Sequence, residues 1–205
     1  MTRIAVVDYG AGNVQSVMKA LAAVDAAPLR AIGPTALSGA DAIIIPGVGH
    51  FAATRALDDR WRAAIATAID DGTPLLGICL GLQWLFDGSD EATNDHGLGF
   101  FAGRSQRIAG NVKVPHVGWN QLDRTGCASR LLDGVPDGAA MYFSHTFAAP
   151  PSPITTATTS HGSVFASAVE RANVFGVQGH PEKSGAVGLR LLATFVAIAR
   201  ASRRC

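Results

Sequence analysis

Lysine is scarce in this chain: only Lys19, Lys113 and Lys183 occur in 205 residues. Charged residues of all kinds reach 16%, against about 25% in ordinary globular proteins. The 17 basic and 16 acidic side chains leave a net charge of +1. That balance excludes a strongly basic nucleic-acid binder and an acidic tail. Low charge fits a surface partly reserved for a partner protein. It also fits a coding bias toward Ala and Arg, which the missing lysines favour. Cysteine is scarce too: Cys79, Cys127 and Cys205 are an odd set without C-x-x-C spacing. This points away from a disulfide framework and a zinc ribbon. No stretch approaches the roughly 18 uninterrupted apolar residues of a membrane span, and no basic-plus-apolar signal region opens the chain. The expectation is a cytoplasmic protein without a membrane partner, in a reducing compartment where a thiol stays free.

What is present is a core. Hydrophobic residues make up 48%, which excludes intrinsic disorder. The length predicts a single domain over 1–205. In the first half apolar runs at 3–8, 28–32, 42–45 and 74–78 alternate with helical spacing. The helical markers are Val14, Val17, Met18, Leu21 and Val24, then Leu57, Trp61, Ile65 and Ile69, then residues 80–86. Strand–helix alternation predicts an α/β fold, a central mostly parallel sheet with helices on both faces. The second half carries short β-forming runs at 141–143, 154–159, 164–169 and 174–177, for which antiparallel pairing is expected. Pro150-Pro151-Ser152-Pro153 reads as a rigid surface turn, and 187–199 as a closing helix.

The densest chemical signal is Gly77-Ile78-Cys79-Leu80-Gly81-Leu82-Gln83, directly after an apolar strand and opening a helix. This is the context of a nucleophile elbow, with Cys where hydrolases carry Ser. The sharp turn strains the nucleophile's backbone, so its neighbours must be small. The following helix aims its N-terminus at the sulfur, which favours the attacking thiolate. The Leu80 N–H becomes an oxyanion donor. An isolated Cys on an apolar strand is more often buried and inert; the flanking glycines and the strand-to-helix switch reverse that balance.

A thiol nucleophile needs a base, and the base an orienter. Among six histidines, His180 stands out in Gly179-His180-Pro181-Glu182-Lys183-Ser184. Glu182 lies two residues on and points the same way in an extended segment. It can hold the imidazole tautomer and support the imidazolium. Alone, this segment reads more readily as a solvated turn; with Cys79 it makes a Cys/His/Glu triad. In Pro46-Gly47-Val48-Gly49-His50 the glycines free the Val48 N–H to serve as a second oxyanion donor. An ordinary turn and a phosphate loop are the alternatives, and no phosphate-loop pattern is present. Neither His nor Cys shows metal-ligand spacing.

Gly77-x-Cys79-x-Gly81-x-Gln83 together with His180-Pro-Glu182 resembles the class I (triad) glutamine amidotransferases. Asp8-Tyr9-Gly10-Ala11-Gly12-Asn13, Pro46 to Phe51, Val114-Pro115-His116-Val117-Gly118-Trp119-Asn120, and His180 to Gly185 narrow the resemblance. They are similar to the glutaminase subunits of imidazole glycerol phosphate synthase, over nearly the whole chain. The resemblance implies a flavodoxin-like fold and no cofactor or metal. It also implies hydrolysis of glutamine to glutamate and ammonia through a thioester on Cys79. The oxyanion is then held by Val48 and Leu80, and glutamine by Gly49, Gln83 and the backbone of Ser144, His145 and Thr146. The implied partner is a (β/α)8-barrel cyclase, docked as a heterodimer. It uses the ammonia to form imidazole glycerol phosphate and aminoimidazole-carboxamide ribotide for histidine biosynthesis. Asn13, Trp119 and Lys183 match interface positions, though Trp119 reads equally as a core residue. The length fits a free-standing subunit.

Two departures stand out. Gly179 replaces a common aromatic, which would loosen the His180 loop or widen the site, and Phe147 replaces a frequent Tyr. The rivals are an amidotransferase for anthranilate, guanylate or pyridoxal phosphate synthesis, a cysteine peptidase of similar topology, and a silent docking subunit. The 8–13 and 116–120 segments, Gln83, and the intact triad argue against them in turn. The two glycines beside Val48 lead to a further expectation: its loop is mobile and completes the oxyanion hole only with partner and ligand. Cys127 and Cys205 read as incidental.

Overall fold

A computed structural model describes residues 1–202, so Cys205 lies outside the described residues. The first half runs β1 (Thr2–Val7), α1 (Val14–Ala22), β2 (Ala26–Ala31), β3 (Ala42–Ile45), α2 (Asp59–Asp70), β4 (Leu75–Ile78) and α3 (Leu80–Leu85). The second half holds β5 (Gly88–Ser89), β6 (Ala92–His96), β7 (Arg104–Arg107), β8 (His116–Arg124), β9 (Ala139–His145) and β10 (Phe147–Ala148). It continues with β11 (Thr155–His161), β12 (Ser163–Arg171), β13 (Val174–Val177) and α4 (Gly185–Ser202).

Nine strands form one sheet in the order β2-β1-β3-β4-β13-β12-β11-β8-β9. β2, β1, β3, β4 and β13 are parallel, and β12, β11, β8 and β9 extend the sheet antiparallel. A smaller sheet, β10-β7-β5-β6, sits beside it. β1, β3, β4 and β13 are almost wholly buried because helices cover both of their faces. On one face Val17 and Leu21 of α1 pack with Leu191, Leu192 and Phe195 of α4. On the other, Trp61, Ile65 and Ile69 of α2 pack with Leu82 and Trp84. The expected α/β layering is therefore present.

Some boundaries differ from the sequence reading. The run at 28–32 falls mostly in a strand, Ala26–Ala31, that starts two residues earlier, where Ala and Pro hid the pattern, and ends before the exposed Ile32. Helix α2 starts at Asp59 because Asp58 accepts the Trp61 N–H at 3.1 Å and caps it. Leu57, expected inside that helix, lies before the cap. β8, a nine-residue strand, was legible only as a motif. Helix α4 is long and apolar enough to cross a membrane by length and composition alone. Here it is a covering helix, its Leu191, Leu192, Phe195, Val196 and Ala199 side chains buried against the sheet.

The register places the functional edge. Ile45 pairs with Gly77, and Val177 with Ile78. The loops after β1, β3, β4 and β13 therefore leave from the same carboxyl edge, where open α/β sheets bind ligands. Helix α3 comes so close to this edge that a Cβ on Gly81 would collide with the Ile45 carbonyl oxygen. Gly81→Ala is expected to lower the unfolding free energy by about 3 kcal/mol or more. Gly33→Ala, with nothing within 4 Å of the added carbon, is expected to stay within about 1 kcal/mol of the parent. Urea denaturation of the two variants measures the contrast.

Candidate active site

Cys79 sits between β4 and α3 with φ +53° and ψ −107°, a conformation that side chains avoid. The bend is held by the Cys79 N–H, which donates to the Val177 carbonyl at 2.8 Å, and by the Gln83 N–H, which donates to the Cys79 carbonyl at 3.1 Å. A Cβ on Gly77 would come within 2.8 Å of Gly81 and Leu82 backbone atoms. Both glycines are therefore required by close approach, as the elbow reading expected. Cys79 is only 4% exposed.

His180 and Glu182 follow β13, next to β4. His180 Nδ1 lies 3.0 Å from Glu182 Oε1, and both side chains are almost fully buried. The imidazole is anchored through its backbone. Its N–H donates to the Tyr142 carbonyl at 2.8 Å, and its carbonyl accepts from Ser184 Oγ at 2.6 Å. Burial works against a charged imidazole here. The nearby Cys79 and the hydrogen-bonded Glu182 outweigh it, and the His180 pKa is pushed up to about 10. Nε2 makes no regular hydrogen bond to another group. A proton is thus held on the ring beside the sulfur at neutral pH.

Of the two N–H groups expected as oxyanion donors, that of Leu80 is already engaged. The Leu80 N–H donates to the Gly47 carbonyl at 3.4 Å. The loop thereby covers one of the two N–H groups expected to hold an oxyanion. Val48 is 38% exposed on that loop, and Gly49 adopts φ +100°. The loop's far end is pinned by Glu91, whose carboxylate accepts the Phe51 N–H at 2.7 Å.

The other expected residues gather at the same edge. Gln83 is buried, and its amide donates to the Phe147 carbonyl at 2.7 Å and to Gln178 Oε1 at 3.2 Å. What it has left for a ligand is its carbonyl oxygen. The Ser144 carbonyl lies 4.0 Å from the sulfur, which brings the 144–146 segment alongside. The His145 ring is buried and bonded inside the protein, so only backbone from that residue is available to a ligand. Trp119 is 60% exposed, which rules out the core reading. It rests edge-on against Tyr142 with ring centroids 6.1 Å apart, and Lys183 Nζ lies 5.6 Å over the same Tyr142 ring. Asn13 directly precedes α1 without capping it. At Gly179, Met141 fills the space where a side chain would project.

Sequence reasoning missed Gln178, whose amide donates to Cys79 Sγ at 3.5 Å. It also missed Ser184 and Glu91. Gln178 had a signal, being a polar residue at the end of an apolar strand two places before His180. Ser184 stood inside the His180 segment without a role assigned to it, and Glu91 acts on the Phe51 backbone forty residues away and had no signal.

The model of the family described as "Glutamine amidotransferase class-I" matches residues 5–198. The imidazole glycerol phosphate synthase subunit HisH of Thermococcus kodakarensis is 49% identical over 199 residues, covering 94% of this chain and 98% of that protein. The subunit of the same name from Thermosynechococcus vestitus is 45% identical over 204 residues, covering 96% and 97%. Among solved structures, the glutaminase domain of a Trypanosoma brucei CTPS with bound acivicin superposes with a TM-score of 0.69 at 18% identity. It covers all of this chain and 94% of its own. PurLQS from Thermotoga maritima gives 0.70 at 19%, covering 96% and 97%. These two likenesses speak for the fold, and the sequence matches for the family. The chain belongs to the class-I glutamine amidotransferases.

Proposed function

We propose that this protein is the glutaminase subunit of an imidazole glycerol phosphate synthase, acting in the cytoplasm on glutamine and delivering ammonia to a barrel cyclase. The carrying observation is the Cys79–His180–Glu182 constellation, buried at one sheet edge with the His180–Glu182 bond at 3.0 Å. Near-full-length identity to synthase subunits from two organisms supports the choice of pathway.

The steps follow from the groups in place. The Cys79 sulfur attacks the side-chain amide carbon of glutamine, and the C=O electron pair moves to oxygen. That oxyanion is held by the N–H groups of Leu80 and Val48 once the loop opens. Collapse breaks the C–N bond, and the His180 ring gives its proton to the leaving ammonia. Glu182 supports the charged ring throughout. Water, deprotonated by the now neutral His180, attacks the thioester and releases glutamate and the sulfur. Gly49 and the backbone of Ser144, His145 and Thr146 hold the amino-acid end, and Gln83 offers its carbonyl oxygen. No residue in these steps calls on a metal.

The partner surface lies around the mouth of this site. Val117 and Trp119 project outward from β8, 57% and 60% exposed, and Val48 on the loop after β3 is exposed as well. Exposed large apolar groups on one strand fit a protein interface, with Trp119 as anchor. Asn13 and Lys183 complete its rim. A cyclase seated there sits over the oxyanion loop and receives ammonia without loss to water.

Cys79→Ala is expected to abolish glutamate release while the complex still makes imidazole glycerol phosphate from added ammonia; retained glutaminase activity would overturn the nucleophile assignment. His180 must be protonated to expel ammonia, so activity falls as pH rises through about 10. Glu182→Gln removes one group that raises this pKa, so the alkaline limb of kcat/KM moves down and the rate drops about 10²- to 10⁴-fold. The covered Leu80 N–H predicts a lone subunit that is nearly idle and a complex with cyclase and its nucleotide that is active. Equal glutamate release from the two, in a coupled glutamate assay, refutes loop opening.

A further inference from the structure

Behind the glutamine site lies a group that the steps above do not use. His116 of β8 and His145 of β9 are 4% and 6% exposed. Their rings are edge to face, and His161 stacks on His116 with centroids 4.2 Å apart. Buried imidazoles in such number carry a cost unless every ring nitrogen is used.

Their hydrogen bonds admit one proton order. The Asn120 amide is oriented from both sides: its Oδ1 accepts the Gln121 N–H at 2.8 Å, and its Nδ2 donates to the Ser160 carbonyl at 2.9 Å. The same Nδ2 lies 3.2 Å from His116 Nε2, which must therefore accept. The His116 proton is then on Nδ1, 3.3 Å from His145 Nε2. At the other end, His145 Nδ1 lies 3.0 Å from the Phe147 carbonyl, which can only accept. That places the His145 proton on Nδ1 and leaves Nε2 to accept from His116. The two ends agree, and both rings are neutral. Burial and then His161 push His116 down to about 4. Burial and then His116, with smaller contributions from His180 and His161, push His145 down to about 3.

The chain ends where the glutamine site begins. The Phe147 carbonyl accepts from both His145 and Gln83, and Gln83 continues through Gln178 to the sulfur. The geometry points to Asn120 and His116 as positioning residues for glutamine. Their one-way chain of hydrogen bonds through His145 fixes the Phe147 carbonyl, and with it Gln83 and the 144–147 backbone beside Cys79. This assignment deepens the glutaminase reading and rests on it. It also gives β8 two duties on opposite faces, with Val117 and Trp119 turned outward and His116 and Asn120 turned toward the substrate strand.

The test uses the complete complex, with ammonia-dependent cyclisation as the check on assembly. His116→Leu removes both ring nitrogens and is expected to raise the KM for glutamine about tenfold, more than it lowers kcat. His116→Asn keeps a donor near the Nδ1 position and is expected to recover most of that loss. Nitrogen NMR shifts of the parent protein are expected to report both His116 and His145 as neutral rings protonated on Nδ1. An unchanged KM in His116→Leu, no recovery in His116→Asn, or a proton on Nε2 of either ring would each overturn the assignment. Should the parent complex fail to hydrolyse glutamine, the glutaminase reading falls, and the ring tautomers still judge the proton order on their own.

Discussion

The whole site depends on parallel pairing in register between β4 and its two neighbours. Ile45, Gly77 and Val177 sit in adjoining rows, so three chain segments end at one level. Each segment supplies one part of the proposed site there: the Val48 loop after β3, the sulfur after β4, the imidazole and its carboxylate after β13. No single loop has to be long or precise. The sheet spaces them, and helices on both faces keep water from competing for its hydrogen bonds.

The antiparallel half contributes differently. β9 lies at the far end of the strand order, yet its Tyr142 carbonyl receives the His180 N–H and its Tyr142 N–H donates to Ser184 Oγ. The hairpin of β8 and β9 thus forms the second wall of the site. The parallel half carries the groups proposed to react. The antiparallel half carries the backbone proposed to hold glutamine and the exposed Val117 and Trp119.

Much of this was legible in residues alone. The triad could be read because its information is local: glycines around Cys79, and a carboxylate two residues from His180. The layered fold could be read because buried parallel strands are continuous apolar runs, as in Ile43-Ile44-Ile45 and Leu75-Leu76. β8 resisted for a physical reason. Its pattern is inverted, with Val117 and Trp119 outside and His116 and Asn120 inside, where hydrogen bonds rather than apolar contact make burial tolerable. The Gly47 carbonyl on Leu80 could not be read either. Glycines announce that a peptide plane can turn, and only the fold says which way it has turned. Nor could the glycine at 179 show that Met141, from a strand nearly forty residues earlier, occupies the space beside it.

The positive φ at Cys79 has a cost that sits apart from chemistry. A side chain in such a bend is worse off by about 1–3 kcal/mol than one in relaxed backbone. Glycine at that position would be free of the penalty, so the inert protein would be the sturdier one. Robustness and reactivity therefore pull in opposite directions at a single codon, and a screen that rewards thermal endurance alone would drift toward a well-folded chain with nothing to attack with.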